Sequence, residues 1–168
     1  MIDNIKIPYY FKEIISPVGL LTLVASNKGL AGILWENDRE GRVNLNPQIE
    51  DKQHKILLDT EQQLNEYFSG KRQSFNIPLD FNGTTFQKEV WNYLLHIPFG
   101  TTTTYGRIAK DLGRPKAMRA VGAANGRNPI SIIAACHRVI GANGALTGFA
   151  AGLSVKAFLL DHEGSIDN

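Results

Sequence analysis

The chain has one cysteine, Cys136, and the two residues after it are His137 and Arg138. A thiol of ordinary pKa, about 8.5, is only a few per cent thiolate at neutral pH, and the thiolate is the nucleophile. An imidazole acting as base, or nearby positive charge, raises that fraction, so Cys136-His137-Arg138 suits attack through sulfur. Full ionisation gains about thirtyfold at most; further acceleration has to come from positioning. If these residues run as a strand, neighbouring side chains face opposite sides. His137 then reaches the thiol only through a bridging water or a local bend. Glu163, at the end of the last helix, is a candidate to hold the His137 ring. A second reading stays open, because free cysteine is among the most buried residue types and packs as a small hydrophobe. One cysteine excludes an intrachain disulfide and argues against a thiolate zinc site, so neither metal nor cofactor is expected.

Charge points to a class of partner. Residues 1–83 carry nine Lys/Arg against eleven Asp/Glu, and residues 84–168 carry nine against five. Between 101 and 138, Arg107, Lys110, Arg114, Lys116, Arg119, Arg127 and Arg138 face a single acid, Asp111. Such a local excess fits a polyanion; a solvated face that binds nothing is the alternative.

These residues need elements to position them. The length, 168 residues, suits one ordinary domain or two small ones sharing a core. No apolar run approaches the roughly 20 residues of a membrane helix. Met1–Lys6 lack a signal-peptide layout, so a cytoplasmic protein is expected, and nothing demands more than a monomer. Strand-like runs at 9–15, 20–25 and 30–35, separated by short turns, predict an antiparallel meander. Residues 37–54 read as a loop. Ile56, Leu57, Thr60, Leu64, Tyr67 and Phe68 recur at helical spacing up to Gly70. Residues 70–83 read as a linker. Thr84 and Gln87 have capping-box spacing ahead of a stripe of Phe86, Val90, Leu94 and Ile97. Thr104 caps a short helix that Gly113 stops, and Pro115 opens a second one reaching about Asn125. Together these form a helix-turn-helix candidate or a plain helical hairpin. Gly141-Ala142-Asn143-Gly144 predicts a hairpin pairing 137–140 with 145–149 as a small wing. A last helix starts at Ser154, with Val155, Phe158, Leu159 and His162 on one side, and ends at Gly164.

Several ordered runs resemble one family. They are Arg114-Pro115-Lys116-Ala117-Met118-Arg119-Ala120-Val121-Gly122, Gly126-Arg127-Asn128-Pro129-Ile130 and Cys136-His137-Arg138-Val139-Ile140-Gly141. Phe86-Gln87, Val90-Trp91, Pro98-Phe99-Gly100, Tyr105 and His162-Glu163-Gly164 join them. The stretch from Thr85 to Gly164 is similar to the methylated-DNA–protein-cysteine methyltransferases, or O6-alkylguanine-DNA alkyltransferases. Pro17-Val18-Gly19 and Leu64-x-x-Tyr67-Phe68 extend the resemblance more loosely to the first eighty residues. The resemblance implies an α/β (α+β) fold. Residues 1–80 would form a ribonuclease H-like antiparallel sheet with a helix, and residues 84–168 a winged-helix-like alkyltransferase domain.

It also implies roles. Cys136 is the alkyl acceptor, His137 deprotonates it through a water, and Glu163 orients His137. Tyr105 donates a hydrogen bond toward the guanine, and Asn128 ties the turn near the cysteine. Arg119 fills the gap left by a flipped nucleotide. Arg114, Lys116, Ala117, Ala120, Ala123, Ala124 and Arg127 meet DNA, small residues suiting minor-groove entry. Val139, Phe149 and Ala150 border the substrate pocket. The implied partner is double-stranded DNA carrying O6-alkylguanine, with O4-methylthymine a second substrate, and no cofactor is implied. Ala135 stands where the family usually has proline, Phe149 where it often has tyrosine, and Ala157-Phe158 where it has Glu-Trp. The zinc-binding cysteines of some relatives are absent. A lesion-binding protein without transfer, a winged-helix transcription factor and a cysteine hydrolase are the rival readings.

Overall fold

The computed structural model describes residues 7–165. The signal-peptide reading of Met1–Lys6 and the outer ends of the ranges 1–80 and 84–168 lie outside those residues. Three strands, β1 (Tyr10–Ser16), β2 (Gly19–Ala25) and β3 (Leu30–Trp35), form the expected antiparallel meander. The stretch expected to be all loop supplies a two-residue strand, β4 (Ile49–Glu50), which pairs in parallel with Tyr10 and Phe11. So short a pairing leaves no periodicity to read. Leu21 and Leu23 of β2 pack against helix α1 (Lys55–Phe68), whose Leu57, Leu64 and Tyr67 are fully buried. Gly70, in the left-handed region at φ 81°, ends that chain direction.

An edge strand exposes unpaired backbone groups unless something covers it. Here two segments cover β3. The linker reaches it through Leu30 N–H donating to Pro78 O at 2.8 Å, and a Cβ on Gly29 would lie 2.7 Å from that same oxygen. Glycine is therefore what allows the approach. Further along, Ile33 N–H donates to Pro129 O at 2.8 Å. The chain leading to Cys136 is thus bonded to the N-terminal sheet, and Ile130, Ile132, Ile133 and Leu159 share one core with Leu21, Leu57 and Tyr67.

Helix α2 (Thr85–Leu94) has both bonds of its capping box, worth about 1 kcal/mol for the Thr84 cap. Thr104 caps α3 (Tyr105–Asp111), and Gly113 at φ 74° stops it. The second helix of the pair, α4 (Met118–Gly126), starts three residues later than expected. Pro115 sits inside a turn closed by Ala117 N–H donating to Arg114 O at 2.9 Å. Proline's fixed φ serves the second position of a turn as well as the first of a helix, so the sequence did not separate the two. Trp91 Nε1 donates to Ala124 O at 2.8 Å and locks α2 to α4.

The expected wing does not form as paired strands. Cys136–Arg138 is a 3-10 turn, and β6 (Val139–Ile140) pairs in parallel with β5 (Thr103–Thr104). The Gly141 turn closes on Ala145 O at 2.9 Å, but the return strand is missing. The carbonyls of Val139 and Thr147 instead accept hydrogen bonds from Lys156 Nζ, at 2.5 and 2.7 Å. Lys156 belongs to α5 (Leu153–His162), which starts one residue ahead of Ser154. The buried face of α5 is Lys156, Leu159 and Leu160 followed by Glu163, while Phe158 is 41% exposed. Two charged residues stand in that stripe, so a reading by apolar residues alone turned the helix the wrong way. Among the described residues no helix is long and apolar enough to cross a membrane.

Candidate active site and nucleic-acid face

The loop that presents Cys136 is tied down on several sides. Asn128 Nδ2 donates to Ala134 O at 2.8 Å, and Asn128 Oδ1 accepts from Ile130 N–H at 3.0 Å. Two N-terminal side chains reach over: Trp35 Nε1 donates to Ser131 Oγ at 3.2 Å, and Arg42 Nη1 donates to Asn128 O at 2.9 Å. Inside this loop Ile132 has φ 75°, a conformation that a β-branched residue adopts only where its surroundings hold it.

Cys136 is 5% exposed. Burial pushes its thiol up from the ordinary value, against the pull of Asn128, Arg42, Ser131 and Lys156. A thiol in that state needs a base. His137 follows it in the 3-10 turn and is fully buried, so the strand geometry that would set the two side chains on opposite faces does not apply. Burial lowers the His137 pKa, against the opposing pull of Glu163, so the ring is neutral at physiological pH. Its Nε2 lies 2.8 Å from Glu163 Oε2. An ionised carboxylate only accepts hydrogen bonds, which assigns the ring proton to Nε2 and leaves Nδ1 with a lone pair. Nδ1 is buried and bonded to no other atom among the described residues.

Glu163 is the hub. Its Oε2 accepts from Tyr67 Oη at 2.6 Å, His137 Nε2 and Arg138 Nη2 at 2.9 Å, and its Oε1 accepts from Arg138 Nε at 2.8 Å. Burial alone would raise its pKa. The hydrogen bonds from His137, Arg138 and Tyr67 outweigh burial and hold the carboxyl well below its usual range. The sequence placed Arg138 in the basic patch, but it is buried and neutralised here. Tyr67, Lys156 and Arg42 were missed. The only signal was a polar residue inside a buried helical stripe for Tyr67, and a lysine in an apolar run for Lys156.

An open groove of about 760 Å³ is lined in part by Tyr105, Arg119, Asn125, Phe149 and Ala150. Cys136 and Val139 do not line it; they sit in the core cluster on which Tyr105 and Phe149 pack. Tyr105 Oη is 3.2 Å from Thr147 Oγ1 at the rim. On α4, Arg119, Ala120 and Ala123 are exposed, and Ala117 is half-buried at its cap. Ala124, expected on the same face, is buried. Lys116 is exposed. Arg114 lies over the Phe86 ring at 5.2 Å and 3.6 Å from Glu89. Arg127 donates to Gly41 O at 3.1 Å, so its guanidinium holds the N-terminal loop. Arg107 is paired with Asp111 at 3.0 Å. The basic surface is accordingly narrower than the sequence suggested: Lys110, Lys116 and Arg119 are the residues of that patch left exposed without a side-chain partner among the described residues.

Comparison with known proteins gives matches along both halves. Residues 9–81 match the ribonuclease-like domain of 6-O-methylguanine DNA methyltransferase, and residues 85–165 match its DNA binding domain. A methylated-DNA–protein-cysteine methyltransferase of Methanosarcina acetivorans is 48% identical over 157 residues, covering 93% of this chain and 99% of its own. One from Mycobacterium tuberculosis is 43% identical, covering 93% of each chain. The solved structure of Mycobacterium tuberculosis OGT in complex with DNA superimposes with a TM-score of 0.82 at 43% identity, again over 93% of each chain.

Proposed function

The chain belongs to the 6-O-methylguanine DNA methyltransferase family, and from that premise we propose that it repairs O6-alkylguanine in duplex DNA by taking the alkyl group onto Cys136, once per molecule. It is a DNA repair methyltransferase that acts on DNA and is itself the acceptor. The observation that carries the mechanism is the 2.8 Å bond between His137 Nε2 and Glu163, which leaves Nδ1 as a buried lone pair beside the cysteine turn. In the reaction the thiol proton passes to His137 Nδ1 through a water. Sulfur attacks the alkyl carbon in line, the carbon–oxygen bond breaks, and its electron pair goes to guanine O6. Guanine then takes up one proton, assisted by the Tyr105 hydroxyl. A thioether does not hydrolyse, so the protein is spent.

The buried thiol supports base flipping, because a base within the stack cannot reach it; extrusion costs a few kcal/mol. Arg119, exposed on α4, fills the gap in the stack, with Ala120 and Ala123 entering the minor groove. The flipped guanine occupies the groove between Tyr105 and Phe149. The backbone at Cys136 and Val139, which lies outside the groove lining, reads the guanine edge once the groove opens onto it, and the Ala150 N–H lies near O6. The Val139 carbonyl keeps a second lone pair beside the bond from Lys156. Methyl is the main substrate and O4-methylthymine a second. The protein acts as a monomer in the cytosol, where a lone thiol stays reduced.

Cys136→Ala tests this reading. The variant is expected to retain binding to duplex DNA carrying O6-methylguanine while gaining no mass on the intact chain. A methylated variant chain would remove Cys136 as acceptor. Repair of more than one lesion per wild-type molecule would replace single use with turnover.

A further inference from the structure

Tyr67 belongs to α1, in the half of the chain that carries no catalytic group, yet its hydroxyl donates to Glu163 Oε2 at 2.6 Å. That is the oxygen that accepts from His137. We infer that Tyr67 is a positioning residue for alkyl transfer: it holds the carboxylate that orients His137 and so makes the N-terminal domain part of the chemistry. The inference rests on the function proposed above.

The ring is placed for this task. It is fully buried, with Phe75 at 5.6 Å, Phe99 at 6.3 Å and His162 at 4.9 Å between ring centres. The His162 ring nitrogen Nε2 also donates to the Tyr67 main-chain oxygen at 2.8 Å. A buried phenol needs some acceptor, and a main-chain carbonyl would satisfy it. Here it converges with His137 and Arg138 on one carboxylate oxygen. Each donor takes a share of that oxygen's negative charge. The more Tyr67 takes, the less the carboxylate stabilises an imidazolium at His137, and the ring stays neutral with Nδ1 open to the thiol proton. The charged and titratable groups around His137 are Glu163 and Lys156 from the last helix and its end, Arg138 and Cys136 from its own turn, and Tyr67 from α1. Tyr67 is the N-terminal group that bonds to the carboxylate holding His137, while Arg42, from the same domain, acts on Cys136 and its loop.

The experiment is the pH profile of the single-turnover rate on duplex DNA carrying O6-methylguanine. Tyr67→Phe removes one hydroxyl and leaves the carboxylate to stabilise the imidazolium more strongly. The acid limb is expected to move to higher pH by roughly one unit, the scale of one hydrogen bond to an ionised group, with the rate at neutral pH slowed by about threefold at most because the ring starts below its ordinary value. Phe75→Leu, which loosens the packing around Tyr67 without touching Glu163, is expected to lower Tm and leave the acid limb in place. Site-specific 3-fluorotyrosine at position 67 keeps the shape and makes a stronger donor, so the limb is expected to move the opposite way. This arm decides the matter even if Tyr67→Phe does not fold. An acid limb that stays put in the fluorotyrosine protein, or in a folded Tyr67→Phe, would reduce Tyr67 to a packing residue while leaving the transfer reaction intact. A wild-type protein that transfers nothing would overturn the function and this inference together.

Discussion

Below Cys136, the polar side chains are buried and bonded to one another: Tyr67, His137 and Arg138 all donate to Glu163. On the groove side, α4 turns Arg119, Ala120 and Ala123 to solvent, Met118 is 51% exposed, and Asn125 Oδ1 has no partner among the described residues. The lower region is complete before any substrate arrives, since its orientation and protonation are fixed by the fold. On the function proposed above, the upper region is completed only by the DNA. Damage to the lower region should therefore cost both stability and chemistry on every substrate, and damage to the upper region should cost only what the duplex adds.

The largest effect is expected for Glu163→Gln. It leaves the Arg138 guanidinium buried without a counter-charge, a loss that typically costs about 3–5 kcal/mol of stability. It also removes the anchor of the His137 ring, and transfer should slow by roughly a hundredfold, the lower range of general-base contributions. The same hub sets the response to acid. Glu163 and His137 both have folded pKa values below their ordinary ones, 4.5 and 6.5. Their contribution is therefore present above those values and lost as pH falls, first through His137 and then through Glu163. The Cys136 thiol is pushed up by burial, so its contribution is present below the ordinary thiol value and lost as pH rises through the folded one. Denaturant unfolding across pH should show stability falling on both sides of neutrality, with a shallower acid side in Glu163→Gln. An acid side as steep as that of the wild type would mean that other carboxylates govern it.

Arg119→Ala probes the upper region. Only the duplex requires flipping, so transfer from duplex DNA should slow by about tenfold or more while reaction with free O6-benzylguanine stays the same. Equal losses on both substrates would make Arg119 a structural residue and erase the contrast between the two regions. Binding should weaken as salt rises, because phosphate contacts release counterions.

How far the sequence revealed each region follows from the range of its interactions. The capping box of Thr84 and Gln87, the Thr104 cap and the stop at Gly113 are local, and each stands where the residue types put it. The groove-side positions Arg119, Tyr105, Phe149 and Ala150 came from ordered motifs. The lower region was half-legible. His137 and Glu163 were paired from residue type and resemblance, but Tyr67 meets Glu163 across 96 positions, and a tyrosine in a helical stripe reads as core. Lys156 was missed for the converse reason: despite its apolar surroundings, lysine in a helix reads as solvent-facing, yet its ammonium takes the carbonyls a wing would have paired. Pro115 and the two-residue strands β4 to β6 fail at the level of local signal, since a turn, a helix start and a short bridge share the same residues.

The smallest effect is expected at Ala135, between the two regions. Its φ of −82° lies at the edge of the range proline adopts, and its N–H donates to Leu94 O at a long 3.3 Å. Proline would forgo that bond, worth about 0.5–1 kcal/mol at most, and gain about 0.4–1 kcal/mol by restricting the unfolded chain. Ala135→Pro should leave stability within about 1 kcal/mol of the wild type by those two figures. Transfer should be modestly faster, because fewer positions are open to the thiol. A large loss of both would show that this loop differs from the backbone for which proline is suited.

The most direct measurement follows the alkyl group itself. The protein is mixed with duplex DNA whose O6-methyl group carries an isotopic label, then digested and sequenced by tandem mass spectrometry. One label per chain on the Cys136 sulfur, with unmodified guanine restored in the DNA, is the predicted result. Label on any other residue, or label released as methanol while Cys136 stays free, would contradict a buried thiol prepared by His137 and Glu163.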